Sequence, residues 1–180
     1  GLRMVEEGAD LIDIGGESTR PGSKPIGMEE ELRRVIPVIE DLAKRVNIPI
    51  SIDTFKSAVA REAIGAGAEL INDISGLNLD PSLSQVAAKE DVPVVLMHIR
   101  GNPETMQKNI HYESLFSEII HYLRNSIQRA ESAGVDPEQI IIDPGLAPVG
   151  ADTYGLVNLG LDAMRLIRAD PDLAGVHLLV

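Results

Sequence analysis

Short, continuously apolar runs alternate along this chain with longer segments whose apolar residues recur at helical spacing. A continuous apolar run is typical of a parallel strand that is covered on both faces. Regular alternation of such strands with helices predicts an α/β fold. The candidate strands are residues 9–15, 48–53, 68–73, 92–98, 139–143 and 176–180.

Two of the longer segments have a clear amphipathic pattern. Residues 28–46 and residues 112–133 each place their apolar side chains on one helical face. We expect both to be helices that cover the sheet. Pro37 lies inside the first of them and lacks a backbone donor, so it predicts a kink or a later start there.

Polar residues follow nearly every candidate strand. In a TIM (β/α)8 barrel the carboxyl ends of all strands converge on one face, where such barrels carry their chemistry. An open doubly wound sheet is the alternative, but its GxGxxG loop after the first strand is absent. The pattern therefore favours a barrel. The polar strand ends are residues 13–20, 53–54, 72–73, 98–100 and 143–144.

The number of strands predicts an incomplete domain. About six of the eight strands of a barrel are readable. We therefore expect residues 1–180 to form one TIM-barrel domain that lacks the first strand and the last helix and strand.

Composition argues against disulfide-bonded, nucleic-acid-binding and membrane-spanning proteins. The chain has no cysteine, which excludes a disulfide framework and fits a reducing, cytoplasmic location. The net charge of -12, from 28 acidic and 16 basic residues, argues against nucleic acid and anionic membranes as partners. No apolar run approaches the ~20 residues needed to cross a bilayer.

The loop after the first candidate strand, residues 13–23, combines glycines, hydroxyls and Arg20. Glycine permits close backbone approach to a ligand, and arginine offers a forked set of donors to an anion. An ordinary flexible βα loop is the alternative interpretation.

Asp53, Asn72 and Asp143 each end a separate candidate strand. An aminopyrimidinone ring presents donors that suit carboxylates and a mixed edge that suits an amide. These three side chains could clamp such a ring. The alternative is that each caps the next helix, although Thr54 and Asp73 are better placed as caps.

His98 ends the fourth candidate strand and Arg100 follows it. These two residues could bind phosphate or steer a general acid step. A structural role for His98 is the favoured alternative. Met97 is expected to pack or to line a pocket rather than to react. The other histidines lack ligand spacing, and no transition-metal site or nucleophile elbow is predicted.

Five motifs, in this order and spacing, resemble the dihydropteroate synthases over residues 1 to about 145. They are GADLIDIGGESTRPGS, ISIDT, INDISG, VVLMHIRGNPETMQ and IIIDPG. The family is a TIM barrel, so the resemblance supports the fold expected above. It implies a transferase of folate biosynthesis that joins 6-hydroxymethyl-7,8-dihydropterin diphosphate to 4-aminobenzoate and releases diphosphate with the help of Mg²⁺.

The resemblance also implies roles for individual residues. Asn72 and Asp143 would bind the pterin ring, Met97 would contact it, and Asp53 would stabilise the positive charge that develops beside it. Thr19 and Arg20 would belong to the loop that covers the diphosphate and shapes the aminobenzoate site, so Asp53 and Arg20 are the catalytic candidates.

No metal ligand is expected in this chain. Synthases of the family are usually homodimers, so a homodimer is one expectation, although the helices of that interface belong to the part expected to be missing.

The end of the chain departs from the synthase pattern. LAPVGADTYG, residues 146–155, replaces the usual glycine-phenylalanine-glycine-lysine stretch. Residues from about 143 to 180 are similar instead to the methyltetrahydrofolate:corrinoid methyltransferases. That family is the alternative function and would need a corrinoid protein as partner. A non-catalytic pterin-binding or incomplete domain is the second alternative.

Overall fold

The computed structural model describes residues 1–20, 22–106, 111–145, 164–173 and 175–179. These residues form six strands that alternate with α-helices. The strands are β1 (Ile12–Gly15), β2 (Ile50–Asp53), β3 (Leu70–Asp73), β4 (Val94–Met97), β5 (Ile140–Asp143) and β6 (His177–Leu178). The helices are α1 (Leu2–Glu6), α2 (Met28–Ala43), α3 (Ser57–Ala66), α4 (Leu83–Glu90) and α5 (Leu115–Ala133). A 3-10 turn covers Pro137–Gln139, and residues 164–169 are helical.

All six strands are parallel, and each one pairs with the next along the chain. A doubly wound sheet reverses its strand order at a switch point, whereas a TIM barrel adds strands in chain order. The consecutive order therefore confirms the barrel-type α/β architecture expected from the polar strand ends.

Strand register divides the sheet into two faces. Ile52 pairs with Ile71, and Leu96 pairs with Ile142. These side chains are completely buried beneath the helices and form the core with residues such as Ile39 of α2 and Leu123 of α5. Because successive side chains of a strand alternate, their neighbours face the opposite side, toward the barrel interior.

All six strands begin later than their apolar runs predict, and a proline lies immediately before two of these starts, those of β2 and β4. Pro49 and Pro93 precede β2 and β4 and have no N–H with which to join a ladder. Their carbonyls still accept hydrogen bonds from Ile12 (3.1 Å) and Ile71 (3.0 Å). The apolar side chain of each proline suggests a longer strand, but the missing N–H ends the ladder at that residue.

The two expected helices form with shorter bounds. α2 ends at Ala43 rather than 46, and α5 begins at Leu115 rather than 112. Pro37 lies inside α2, which nevertheless starts at Met28, so the later start expected from this proline was wrong. Among the described residues, no helix has the length and apolar character that a membrane span requires.

Candidate functional site

Strand register brings together the side chains that end the strands. Asp53 pairs with Gly15 on one side and with Asn72 on the other. On the next pair of strands, Met97 pairs with Asp143. All of these positions lie on the interior face at the carboxyl edge of the sheet, opposite the buried isoleucines. Three polar groups and one thioether from four strands therefore share one concave surface.

Asp13 also belongs to this surface, although the sequence did not single it out as a site residue. Its Oδ1 accepts a hydrogen bond from Ser51 Oγ, and its Oδ2 accepts one from Asn72 Nδ2 at 3.3 Å. The bond orients the Asn72 amide so that its carbonyl oxygen is left for another partner. A charged residue inside an otherwise apolar strand, two positions before a glycine pair, was the signal that could have found it.

Asp53 has the most perturbed environment of these carboxylates. Its Oδ2 accepts a hydrogen bond from Thr19 Oγ1 at 3.3 Å, and its Oδ1 is buried without a partner among the described residues. Burial, and then the neighbouring Asp13 carboxylate, raise the pKa of Asp53 to about 7, while the Thr19 hydroxyl opposes that rise. An acid that titrates near neutrality in a concave surface is typical of a functional site.

Asp143 is held by the turn that follows it. Its Oδ1 accepts a hydrogen bond from the Gly145 N–H at 2.7 Å, which leaves Oδ2 for a ligand. Burial raises the pKa of Asp143, and the Gly145 bond partly offsets this. Gly145 has φ +67°, and a Cβ at this position would lie 2.2 Å from the His98 carbonyl oxygen. Only glycine fits a backbone that passes so close to the β4 end.

The loop after β1 places Thr19 half-buried against Asp53 and leaves Arg20 exposed. Within the described part of the chain, the Arg20 guanidinium makes no hydrogen bond or ion pair. Its cationic end is therefore available to an anion.

His98 is buried and packs edge-on against Tyr122, with ring centroids 4.9 Å apart. Burial lowers the pKa of His98 to about 4, so the imidazole is neutral at physiological pH. Arg100 lies over the Tyr112 ring, 4.5 Å from its centroid, and pairs with Glu118 at 3.4 Å. These contacts favour structural roles for both residues over phosphate binding.

The expected cap residues act locally, but not as helix caps. The buried Asp73 carboxylate accepts hydrogen bonds from the Ser75 N–H (2.8 Å) and the Leu77 N–H (2.7 Å), which fixes the loop after β3. Thr54 Oγ1 donates to Glu31 Oε1 at 2.7 Å and accepts from the Lys56 N–H at 3.2 Å. Asp53 and Asn72 remain uncommitted to any helix terminus.

Comparison with known proteins gives a consistent result. The family model described as pterin binding enzyme matches residues 1–177. A dihydropteroate synthase of Synechocystis is 45% identical over 170 residues, which cover 94% of this chain and 56% of that protein. The chain thus spans about half the length of the curated relatives it matches.

Solved structures show the same likeness. Dihydropteroate synthase from Stenotrophomonas maltophilia, with imidazole in its active site, has a TM-score of 0.85 and 46% identity, covering 99% of this chain and 63% of that one. The Burkholderia cenocepacia synthase in complex with 7,8-dihydropteroate has a TM-score of 0.79 and 43% identity, covering 90% and 59%.

The likeness to synthases continues past residue 145, since the Synechocystis match covers 170 residues and the family model reaches residue 177. These comparisons give no support to the expected methyltransferase-like segment. The divergent stretch at residues 146–155 lies outside the described residues. Because the family model matches nearly the whole of this chain, we conclude that the chain belongs to the pterin binding enzymes.

Proposed function

We propose that this chain supplies the pterin site of a dihydropteroate synthase, which condenses 6-hydroxymethyl-7,8-dihydropterin diphosphate with 4-aminobenzoate. The observation that carries the proposal is the convergence of Asp53, Asn72 and Asp143 at one sheet edge, beside a loop that presents Thr19 and Arg20. The likeness to synthase structures, one of them bound to 7,8-dihydropteroate, supports it.

The ring-binding groups suit a pterin. The free Oδ2 of Asp143 accepts hydrogen bonds from the amino and ring N–H donors. The Asn72 carbonyl, oriented by the bond from its amide to Asp13, accepts from a further donor. Met97 pairs with Asp143 in the ladder and offers a polarizable thioether to the ring face.

Asp53 is placed to act on the reacting carbon. When the C–O bond to diphosphate breaks, the bonding electrons leave with the diphosphate, and positive charge develops on the pterin methylene carbon. The ionised Asp53 carboxylate stabilises this charge because it is already oriented and desolvated. The amine lone pair of 4-aminobenzoate then forms the C–N bond, and the nitrogen releases one proton.

Arg20 is proposed to bind the departing diphosphate, since its forked donors match phosphate oxygens. Mg²⁺, when bound with the substrate, would neutralise the diphosphate charge. Among the described residues, no group of three or more His, Asp or Glu side chains is arranged to hold a metal ion. The described side chains therefore do not by themselves form a cage for the ion.

Calorimetric titration tests the proposal. The protein is titrated with 6-hydroxymethyl-7,8-dihydropterin diphosphate plus Mg²⁺, with the bare pterin, and with methyltetrahydrofolate. We expect the diphosphate to bind most tightly, and release of diphosphate to follow when 4-aminobenzoate is added. Preference for methyltetrahydrofolate would indicate the corrinoid-linked methyl transfer instead, and binding of the pterin without turnover would indicate a non-catalytic scaffold.

Arg20→Ala tests binding of the diphosphate separately from binding of the pterin ring. Loss of one charge-assisted bidentate contact is expected to weaken diphosphate binding about tenfold or more and to leave binding of the bare pterin nearly unchanged. Arg45→Ala is the matched control, because Arg45 is an exposed arginine that pairs with Asp41 on α2. Equal loss of both ligands in Arg20→Ala would mean that the loop acts through folding.

A further inference from the structure

A buried charge cluster lies behind the loop that presents Thr19 and Arg20. The Lys56 ammonium donates hydrogen bonds to Glu17, to Glu31 and to the Ile26 carbonyl, the last at 3.1 Å. The side chains of Glu17 and Glu31 are only 5% and 1% exposed, and that of Lys56 is 20% exposed. We call these three side chains the Lys56 cluster.

In the Lys56 cluster, one ammonium group is paired with two buried carboxylates. Burial alone would lower the pKa of Lys56, but the hydrogen bonds that it donates to Glu17 and Glu31 outweigh burial and raise that pKa, so the ammonium stays charged. Two further donors help the carboxylates: Thr54 Oγ1 donates to Glu31 at 2.7 Å, and the Ile26 N–H donates to Glu17 at 3.2 Å. Buried charges persist in proteins only where such pairing offsets their desolvation.

The contacts of the Lys56 cluster fall at both ends of one segment. Glu17 lies just before Thr19 and Arg20, and Ile26 lies just after the loop and before α2. Lys56 holds Glu17 by its side chain and Ile26 by its backbone, while the Glu17 carboxylate also accepts from the Ile26 N–H. We call residues 15–17 the first stem of the loop and residue 26 the second stem. The two stems are thus fastened to each other and to the start of α3.

The first stem is fixed further by close packing. A Cβ at Gly16 would lie 2.9 Å from both Glu31 Cγ and Val35 Cγ1, so the backbone rests directly on α2. Arg34 Nη1 also donates to the Gly16 carbonyl at 3.0 Å. At Gly15 a Cβ would meet Asp53 Oδ2 at 3.2 Å, which brings this stem against the site itself.

We propose that Lys56, Glu17 and Glu31 are positioning residues that fasten both stems of the loop, so that the loop holds Thr19 against Asp53 and presents Arg20 next to it. None of the three contacts a ring-binding side chain among the described residues. Their effect on turnover rests on the proposed function, whereas their effect on the loop does not.

Glu17→Ala tests the proposal selectively. It releases the loop but leaves Lys56 paired with Glu31, so the contact between α3 and α2 is kept and no unpaired buried charge is created. Glu17→Gln is the conservative variant, because its amide oxygen can still accept from Lys56 and from the Ile26 N–H. Glu40→Ala is the matched control, since Glu40 is an exposed glutamate on α2.

Hydrogen exchange followed by mass spectrometry gives the first readout. In Glu17→Ala we expect the amides of residues 16–27 to exchange about tenfold faster or more, with α2 and α3 unchanged. Glu17→Gln is expected to show a smaller acceleration, about threefold, because a neutral acceptor makes a weaker bond than a carboxylate. Glu40→Ala is expected to match the wild type.

Ligand titration gives the second readout. We expect Glu17→Ala to bind the pterin diphosphate about tenfold more weakly while binding the bare pterin within about twofold of the wild type. Unchanged exchange of residues 16–27 in Glu17→Ala would overturn the proposal. If Glu17→Ala does not fold, unchanged exchange in Glu17→Gln would overturn it instead. Failure of the wild type to bind the diphosphate would refute the proposed function, while the exchange result would still decide the role of the cluster.

Discussion

Thr19 Oγ1 donates a hydrogen bond to Asp53 Oδ2 across 3.3 Å, while Asp53 Oδ1 is buried with no partner among the described residues. The contact joins a loop residue to a strand residue 34 positions further along the chain. One oxygen of Asp53 is therefore held by the loop and the other is left to a ligand. The position of the loop and the charge of the carboxylate are coupled through this bond.

The pKa of Asp53 predicts an acid limit to turnover. Because this pKa is raised to about 7, the carboxylate is ionised above that pH and loses its charge as the pH falls through it. If the ionised form stabilises the developing cation, kcat/KM is expected to fall about tenfold per pH unit below the pKa. A pH profile of kcat/KM measures this, with Asp53→Asn expected to be slow and without the acid limb.

A profile in which Asp53→Asn retains the same acid limb would assign that limb to another group. Asp143, whose pKa burial also raises, would then be the first residue to examine.

Thr19→Val is expected to shift that profile toward alkaline pH. The Thr19 hydroxyl lowers the pKa of Asp53, so its removal allows burial and the Asp13 charge to raise that pKa above about 7. Thr19→Ser keeps the hydroxyl and is the matched control. We expect the midpoint of the acid limb to move only in Thr19→Val, and an equal shift in both variants would mean that the hydroxyl does not set the pKa of Asp53.

Asp143→Asn is expected to weaken binding of the pterin. The asparagine carbonyl can keep the bond from the Gly145 N–H, but its amide then presents donors to the donors of the ring. An unmatched buried donor costs about 1–3 kcal/mol, which corresponds to roughly a tenfold to hundredfold loss of affinity. Calorimetry with the bare pterin measures it, and unchanged affinity would remove Asp143 from the site.

Gly16→Ala and Gly65→Ala are expected to have opposite effects on stability. A Cβ at Gly16 would lie 2.9 Å from side-chain atoms of α2 and 3.1 Å from the Glu31 carbonyl oxygen, so the substitution is expected to destabilise the fold by about 1–3 kcal/mol. Gly65 is in α3 with nothing within 4 Å of its would-be Cβ, and alanine there stabilises a helix by about 0.5–1 kcal/mol. Urea unfolding measures both variants, and a neutral Gly16→Ala would show that the first stem does not rest tightly on α2.

The sequence predicted the sheet and its polar edge well, because both follow from local periodicity. Six apolar runs correspond to six parallel strands, and the side chains of Asp53, Asn72 and Asp143 lie on one face of the sheet, near the carboxyl ends of their strands. The starts of β2 and β4 were misjudged because Pro49 and Pro93 have apolar side chains but no backbone donor. The roles of Asp53, Asn72 and Asp143 in substrate binding remain predictions.

The Lys56 cluster was missed because its pairing is tertiary. Glu31 occupies a position on the apolar face of α2 with Val35 and Ile39, and a charge on that face was a readable sign of a buried partner. Neither the identity of that partner nor the involvement of Glu17 could be read from residues so far apart in the chain.

The division of the sheet into two faces limits where residues can be inserted or deleted during the evolution of this protein. Deleting one residue within β2 would turn Asp53 toward the helices and send an isoleucine into the concave surface, since side chains alternate along a strand. A deletion of the same size at the exposed Asn47, between α2 and β2, would shorten a connecting turn and leave the alternation within β2 unchanged. We therefore expect length variation among descendants of this gene to collect between helices and the strands that follow them, and strand lengths to be inherited unchanged.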